Sequence, residues 1–268
     1  MRAFPWYLLL FLMVAWNTAC EQRAKGPMVQ AVYPSAELLP ENLLRMYVQF
    51  SQPMKTVGNL EKIKLVDEEG LELKNVFFNN VHELWNHEQT QLTLILDPAR
   101  VKTGLQANTT FGRALQPQKK YRLVIADLED AYHNKMEHPF EKKIEVTAAD
   151  LQAPDPSNWH VVIPKANDTT VLRVEFEDML DYYSVQQRLI ITDLENRPVK
   201  GSVTIEKQET EWWFTPSNPW EKGDYLLQVN TRLEDPAGNN LNGLFDHEIG
   251  SLKYAKEGMV EQIPFTIN

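Results

Sequence analysis

The 268 residues contain a single cysteine, Cys20. One thiol excludes both an intramolecular disulfide framework and a thiolate zinc cluster. Positive charge is short as well: 27 Lys and Arg stand against 37 Asp and Glu, a formal net charge of −10. Such a chain lacks the basic face that phosphate backbones require, so nucleic acid is not an expected partner. Catalytic signatures are missing too, with no Gly-x-Ser-x-Gly elbow, phosphate-cradling loop or dinucleotide fingerprint. His82 and His87 flank Glu83-Leu84-Trp85-Asn86. Their spacing sets them ~140° apart round a helix and on opposite faces of a strand, not on one face as a zinc-protease helix requires. No cofactor, metal site or enzymatic activity is therefore expected. Carboxylate pairs are numerous, but on so acidic a surface they single out no catalytic pair.

At the start, Met1-Arg2 is followed by an apolar run from Ala3 to Trp16 and then Asn17-Thr18-Ala19-Cys20. A basic start, a short apolar run and small residues before a cut site describe a secretory signal. The run is broken by Pro5 and falls short of the ~20 apolar residues that span a bilayer. Cleavage before Cys20 would leave its thiol at a new N-terminus. The segment resembles a bacterial lipoprotein signal, with Asn17 departing from the aliphatic residue such motifs carry. The alternative is an ordinary secretory signal with an unrelated cysteine. The resemblance implies acyl chains on Cys20 that attach the protein to a membrane of the bacterial cell envelope. Glu21, where inner-membrane retention is associated with aspartate, favours the outer membrane. Residues 1–19 then form the signal and 20–26 a polar tether.

The remainder is β-rich. Strand-like runs fall at Leu43 to Phe50, Ile63 to Val66, Leu92 to Leu96, Tyr121 to Ala126 and Ile144 to Thr147. More follow at Val171 to Phe176, Leu189 to Thr192, Ser202 to Ile205, Trp212 to Thr215, Tyr225 to Val229 and Ile263 to Ile267. Several alternate apolar with polar residues, as strands with one wet face do, and no stretch sustains a helical period. One unit occurs twice: Phe50 through Asp67 matches Phe176 through Asp193 at an offset of 126. Leu128-Glu129-Asp130 with Asn134 matches Leu233-Glu234-Asp235 with Asn239 at an offset of 105. Pro154 and Pro156 mark the linker. The expected architecture is all-β, two tandem sandwiches at 27–150 and 151–268 joined by limited contact.

Phe50-Ser51-Gln52-Pro53-Met54, then Trp213-Phe214-Thr215-Pro216, Gly223-Asp224-Tyr225-Leu226-Leu227 and Asp235-Pro236-Ala237-Gly238-Asn239-Asn240-Leu241, resemble the bacterial Ig-like domain of the S-layer (SbsA) type. The first copy departs from it, with Lys119 or Gln118 for the glycine before Tyr121 and His133 for the glycine before Asn134. The resemblance implies Ig-like sandwiches and is nearly silent on function, because such modules serve as spacers, adhesins and accessory domains.

The first unit is longer than the second. Its surplus falls near Asn79 to Gln89, with Glu83 and Trp85, and near Ala99 to Leu115, with Arg100 and Lys102. Loop length added to a stable sandwich is where binding resides, so Trp85, Arg100 and Lys102 are the candidate binding residues, the two cations suited to an anionic ligand. The opposing reading buries Trp85 beneath its own loop and pairs Arg100 with Asp97. Asp235 to Asn240 has oxygen ligands that suit calcium, but reads better as a turn whose Asp and Asn bond local backbone. Trp212-Trp213 and Tyr182-Tyr183 each turn one ring outward on a strand, to stack on sugars or, the preferred reading, to cover a domain contact. The chain is read as a non-catalytic, lipid-anchored envelope protein with a structural or binding role and an envelope protein or glycan as partner. The alternative is a carbohydrate-binding accessory protein or carbohydrate-active enzyme.

Overall fold

The computed structural model describes residues 25–78, 82–247 and 259–268. The first half contains β1 (Val29–Tyr33), β2 (Leu38–Pro40), β3 (Arg45–Phe50), β4 (Ile63–Val66), β5 (Leu84–Trp85), β6 (Gln91–Ile95), β7 (Lys120–Ile125) and β8 (Phe140–Thr147), with helices α1 (Pro98–Val101) and α2 (Gln106–Phe111) between β6 and β7. The second half contains β9 (His160–Val162), β10 (Leu172–Glu175), α3 (Tyr182–Arg188), β11 (Leu189–Asp193), β12 (Gly201–Glu206), β13 (Glu211–Pro216), β14 (Gly223–Asn230) and β15 (Val260–Ile267). Every strand-like run read from the sequence carries a strand. Of the strands not foreseen, β2, β5 and β9 have only two or three residues, too few to establish an alternation, and β1 breaks its own with Ala31-Val32-Tyr33.

The protein is all-β, built as two sandwiches. In the first, a sheet ordered β1-β3-β6-β5 faces one ordered β2-β8-β7-β4. In the second, β12-β13-β10-β9 faces β11-β14-β15. Read from the opposite edge, β9-β10-β13-β12 repeats β1-β3-β6-β5 strand for strand, so the sequence repeat is a repeat of topology. The second unit has the seven strands of a constant-type immunoglobulin sandwich. The first adds β2, the only parallel partner among the described strands, alongside β8.

Alternation fills the interiors. Met46, Val48 and Phe50 of β3 and Leu92 and Leu94 of β6 are buried in the first core, together with Leu123 and Ile125 of β7. The second core gathers Leu172, Val174, Trp212, Phe214, Leu227 and Val229. The repeat extends to its turns. Asp130 accepts hydrogen bonds from the Asn134 amide and side chain, both at 2.8 Å. Asp235 accepts the same pair from Asn239, both at 2.9 Å. These carboxylates close local turns through their own backbone. Among the described residues no group of three or more His, Cys, Asp or Glu is disposed to hold a metal ion.

Limited contact between the sandwiches, expected from the proline-bearing linker, is corrected by the structure. Asn42, almost fully buried, grips the linker with its amide: Nδ2 donates to the Asp150 carbonyl and Oδ1 accepts from the Asp150 amide, both at 2.8 Å. Asn239 of the second unit donates to the same carbonyl at 3.2 Å. The Leu44 amide donates to the Pro236 carbonyl at 2.9 Å. The prolines mark the linker's path, while buried asparagines on both sides fix it.

Candidate functional site

The residues that sequence analysis singled out are not brought together. The Trp85 indole lies against Phe50 at 5.6 Å between ring centroids and donates to Glu83 at 2.9 Å. Burial would raise the Glu83 carboxyl, but donors from Asn59, Trp85 and the Leu60 amide hold it below its ordinary value. Trp85 and Glu83 thus buttress the turn at Asn59. Arg100 gathers backbone carbonyls, with Nε on Gly112 at 2.9 Å and a terminal nitrogen on Asn75 at 3.0 Å. Its anticipated partner Asp97 instead caps α1, accepting from the Ala99 amide at 2.9 Å. Lys102 lies over the Phe245 ring, 4.5 Å from the centroid. A cavity lined by Arg100 includes neither Trp85 nor Lys102. Cys20 lies outside the described residues.

The second surplus segment nonetheless reaches the other sandwich. Thr103 donates to Asp246 through its amide at 2.8 Å and its hydroxyl at 2.7 Å. Arg113 bridges Asp246 at 2.7 Å and Glu41 at 2.6 Å. Extra length in the first unit is spent on holding the second.

The principal feature at the joint starts from strand alternation. With Met46, Val48 and Leu92 turned inward, Arg45, Tyr47 and Gln49 of β3 and Gln91 and Thr93 of β6 share the opposite face, where Tyr47 pairs with Thr93. The second sandwich covers that face with α3 and with the loop after β14. Tyr47 is consequently only 7% exposed, although it points away from its own core. Its hydroxyl donates to Asp181 at 2.9 and 3.1 Å. Asp181, 3% exposed, also caps α3 by accepting from the Ser184 amide at 2.8 Å. Arg45 pairs with Glu234 at 2.6 Å. Tyr182 stacks on Tyr33 at 3.6 Å, and Tyr183 meets Tyr47 edge-on at 4.6 Å. The adjacent tyrosines therefore cover the domain contact. Both lie on a helix, where the sequence had placed them on a strand.

Electrostatics follow from that burial. Desolvation pushes the Asp181 and Glu234 carboxyls upward, against the pull of Arg45 on each. Burial raises Tyr183 to about 12. On the other side of the joint, the Glu209 carboxylate accepts from the Ser35 amide at 2.8 Å, and burial raises it. Lys142, depressed by burial, donates to the carbonyls of Ser35 and Ala36 at 2.9 and 2.7 Å.

Between these contacts lies a cleft of about 490 Å³. Arg45, Tyr47, Gln91 and Thr93 form one wall, and Tyr183, Arg188, Arg232, Glu234, Asn240 and Asn242 are among those forming the other. Sequence analysis missed it because its two walls are far apart along the chain, the nearest of their residues being Thr93 and Asp181. The only signal available was the polar outer face of β3 and β6, which any solvated strand would show.

Fold and joint together define an all-β protein of two tandem sandwiches fused through a buried polar contact. No family model matches the chain, and no curated protein matches it. Similar solved structures include native alpha-2-macroglobulin from Escherichia coli spanning domains MG0-NIE-MG1, at 12% identity and a TM-score of 0.29 over 91% of this chain and 72% of that one. Domains 1–6 of the surface layer protein SbsC match at 10% identity and a TM-score of 0.32, over 91% of this chain and 41% of that one. The Ig1-2 module of the Drosophila receptor protein tyrosine phosphatase DLAR matches at 8% and 0.24, over 91% and 95%. Superposition on all three is loose, and the class rests on the sheets and their order. No helix among the described residues is long and apolar enough to cross a membrane.

Proposed function

We propose that this chain is a lipid-anchored protein of the bacterial cell envelope whose two Ig-like sandwiches, of the S-layer SbsA type, act as one rigid, non-catalytic binding unit. The observation that supports it most is the joint. Tyr47 with Asp181, Arg45 with Glu234 and the Asn42 grip on the linker leave a polar cleft with fixed walls. A spacer made of independent beads has no need of buried charges between them, because each costs desolvation that the contact must offset. A binding unit does, since walls held in place lose less freedom when a ligand arrives. Attachment rests on Cys20 after Ala19 at the end of the signal-like segment, and Glu21 favours the outer membrane.

Fractionation tests the anchor. Cys20→Ala should shift the protein from the membrane pellet to the soluble fraction or leave an unprocessed precursor. Unchanged partitioning of a normally processed variant overturns it. Cross-linking in envelope fractions should recover an envelope partner, and none on a folded, correctly located protein would overturn the binding role.

A further inference from the structure

The repeat shows where the first sandwich is left uncovered. In the second unit the turn from Asp235 to Asn239 meets the unit before it: the Leu44 amide donates to the Pro236 carbonyl at 2.9 Å, and Ala237 is fully buried. The matching turn of the first unit runs from Asp130 to Asn134, with Tyr132 in the place of Ala237. Tyr132 is 77% exposed. The chain that precedes this unit is fastened beside the same turn. Gln52 Nε2 donates to the Lys25 carbonyl at 3.3 Å. Gly26 lies so close to Lys135 that a β-carbon on it would stand 1.9 Å from the Lys135 carbonyl oxygen. We propose that this outer pole of the first sandwich rests on the membrane surface, with Tyr132, Val57 and Met28 in the headgroup layer. This rests on the lipid anchor proposed above and names the surface that the anchored protein turns to the bilayer.

Reach carries the first part. Lys25 follows Cys20 by five residues, which span at most ~18 Å when fully extended. The eight residues of β8, which starts at this pole, run ~27 Å. With Cys20 at the bilayer, the pole stays within a distance shorter than the sandwich itself. Leu71 and Phe111 are about as exposed as Tyr132, but they stand beyond the far ends of β4 and β6. Exposure alone does not select the pole; the attachment does.

The surface of the pole suits a bilayer. Its loops are knitted together: the Met28 amide donates to the Ser51 hydroxyl at 3.0 Å, the Ala131 amide to the Pro53 carbonyl at 2.9 Å and the Lys55 amide to the Glu129 carbonyl at 3.1 Å. Met28, 59% exposed, and Val57, 72% exposed, stand on them with Tyr132. The Asp130 carboxylate holds the Tyr132 turn, accepting from the Tyr132 and Asn134 amides at 2.8 Å each and from Gln52. A tyrosine displayed in this way favours the headgroup level, where its ring leaves water and its hydroxyl stays wet. The charges of the pole are mixed rather than cationic. Lys55 pairs with Glu129 at 3.7 Å, and Lys62 donates to the Asp127 carbonyl at 2.8 Å. The contact therefore needs no anionic lipid.

The experiment uses the full chain, recovered from membranes and reconstituted in phosphatidylcholine vesicles that contain a headgroup-nitroxide lipid. A thiol-reactive fluorophore is placed on Ala131→Cys at the pole, or on Leu71→Cys or Phe111→Cys at the far end, Cys20 being blocked by its acyl chain. Quenching at 131 should be several-fold stronger than at 71 or 111. Adding Tyr132→Asp with Val57→Asp should bring quenching at 131 down to the far-end level, with flotation and thermal unfolding preserved because both side chains are exposed. Equal quenching at both ends, stronger quenching at 71 or 111, or undiminished quenching in the folded double variant overturns the proposal. A probe at 131 that is unquenched in pure lipid but shielded in native envelope membranes assigns the pole to a protein neighbour and overturns the lipid contact. Failure to float with the vesicles overturns the anchor, and this proposal with it. A chain that floats without the difference between its ends overturns the pole alone and leaves the anchor standing.

Discussion

Tyr47 of the first sandwich donates one hydroxyl proton to both carboxylate oxygens of Asp181 in the second, at 2.9 and 3.1 Å. The same carboxylate starts α3, so one acidic side chain both begins the helix and receives the opposing domain.

Tyr47→Phe removes the donor and leaves the carboxylate buried. A loss of about 1–3 kcal/mol in urea unfolding is expected. Tyr183→Phe should cost less, because its hydroxyl reaches the uncharged Gln49 oxygen at 3.2 Å. Tyr47→Phe should also make residues 148–157 easier to cut in limited proteolysis, while the parent resists. Equal behaviour of the two variants would deny the joint its special role.

Asp150 and Asp235 share the base of the linker, and the pair gives the protein a pH response. Burial, and then the neighbouring Asp150 carboxylate, push Asp235 up to about 8. A folded value above the unfolded ~3.9 means that the native state holds the extra proton, so its contribution is full in acid. That contribution is lost as the pH rises from ~4 to about 8. The denaturation midpoint should therefore fall between pH 5 and pH 8. In Asp150→Asn, where an amide can donate to Asp235, the fall should be shallower. An unchanged slope would place its origin elsewhere.

Arg100→Ala should destabilise by only about 0.5–1.5 kcal/mol, since the carbonyls of Gly112 and Asn75 are left near water. Lys102→Ala should lose about 0.5–1 kcal/mol with its contact to Phe245. Differential scanning calorimetry reads both changes. A loss of several kcal/mol in either would mean that the segment is part of the core.

Gly238 has φ of +82°, and a β-carbon there would stand 2.5 Å from Leu44 Cδ2 of the other sandwich. Gly238→Ala combines backbone strain with overpacking at the joint, and a loss of about 1–3 kcal/mol is expected. Gly104→Ala, at the same φ but with open space around it, isolates the strain alone. If the two lose equal stability, Leu44 is not pressed.

Legibility followed range. Val174 stands between Arg173 and Glu175, and Val48, Leu94 and Leu227 each have at least one polar residue beside them, so strands follow from local spacing. The repeat was readable because Asp130 with Asn134 and Asp235 with Asn239 close the same local turn in both units. The joint was not, because Tyr47 and Asp181 lie 134 residues apart and each has an innocent local explanation. A tyrosine on a wet strand face and an aspartate before a helix are ordinary. Trp85, Arg100 and Lys102 drew notice for charge and loop length, properties that say nothing about whether neighbouring carbonyls and rings already occupy them.

The hairpin tip between β12 and β13 bears on how this molecule is to be handled. Lys207, Gln208 and Glu209 all have positive φ, and the Glu209 carboxylate inserts against Ser35 of the other unit. Cut free, the second sandwich would carry a crowded tip ending in an orphaned acid, and the first would show water a lysine folded onto its own carbonyls. Neither half is then a portable part. Fusion, truncation or exchange of one sandwich calls for redesign of the severed surface, and the natural unit for expression is the pair.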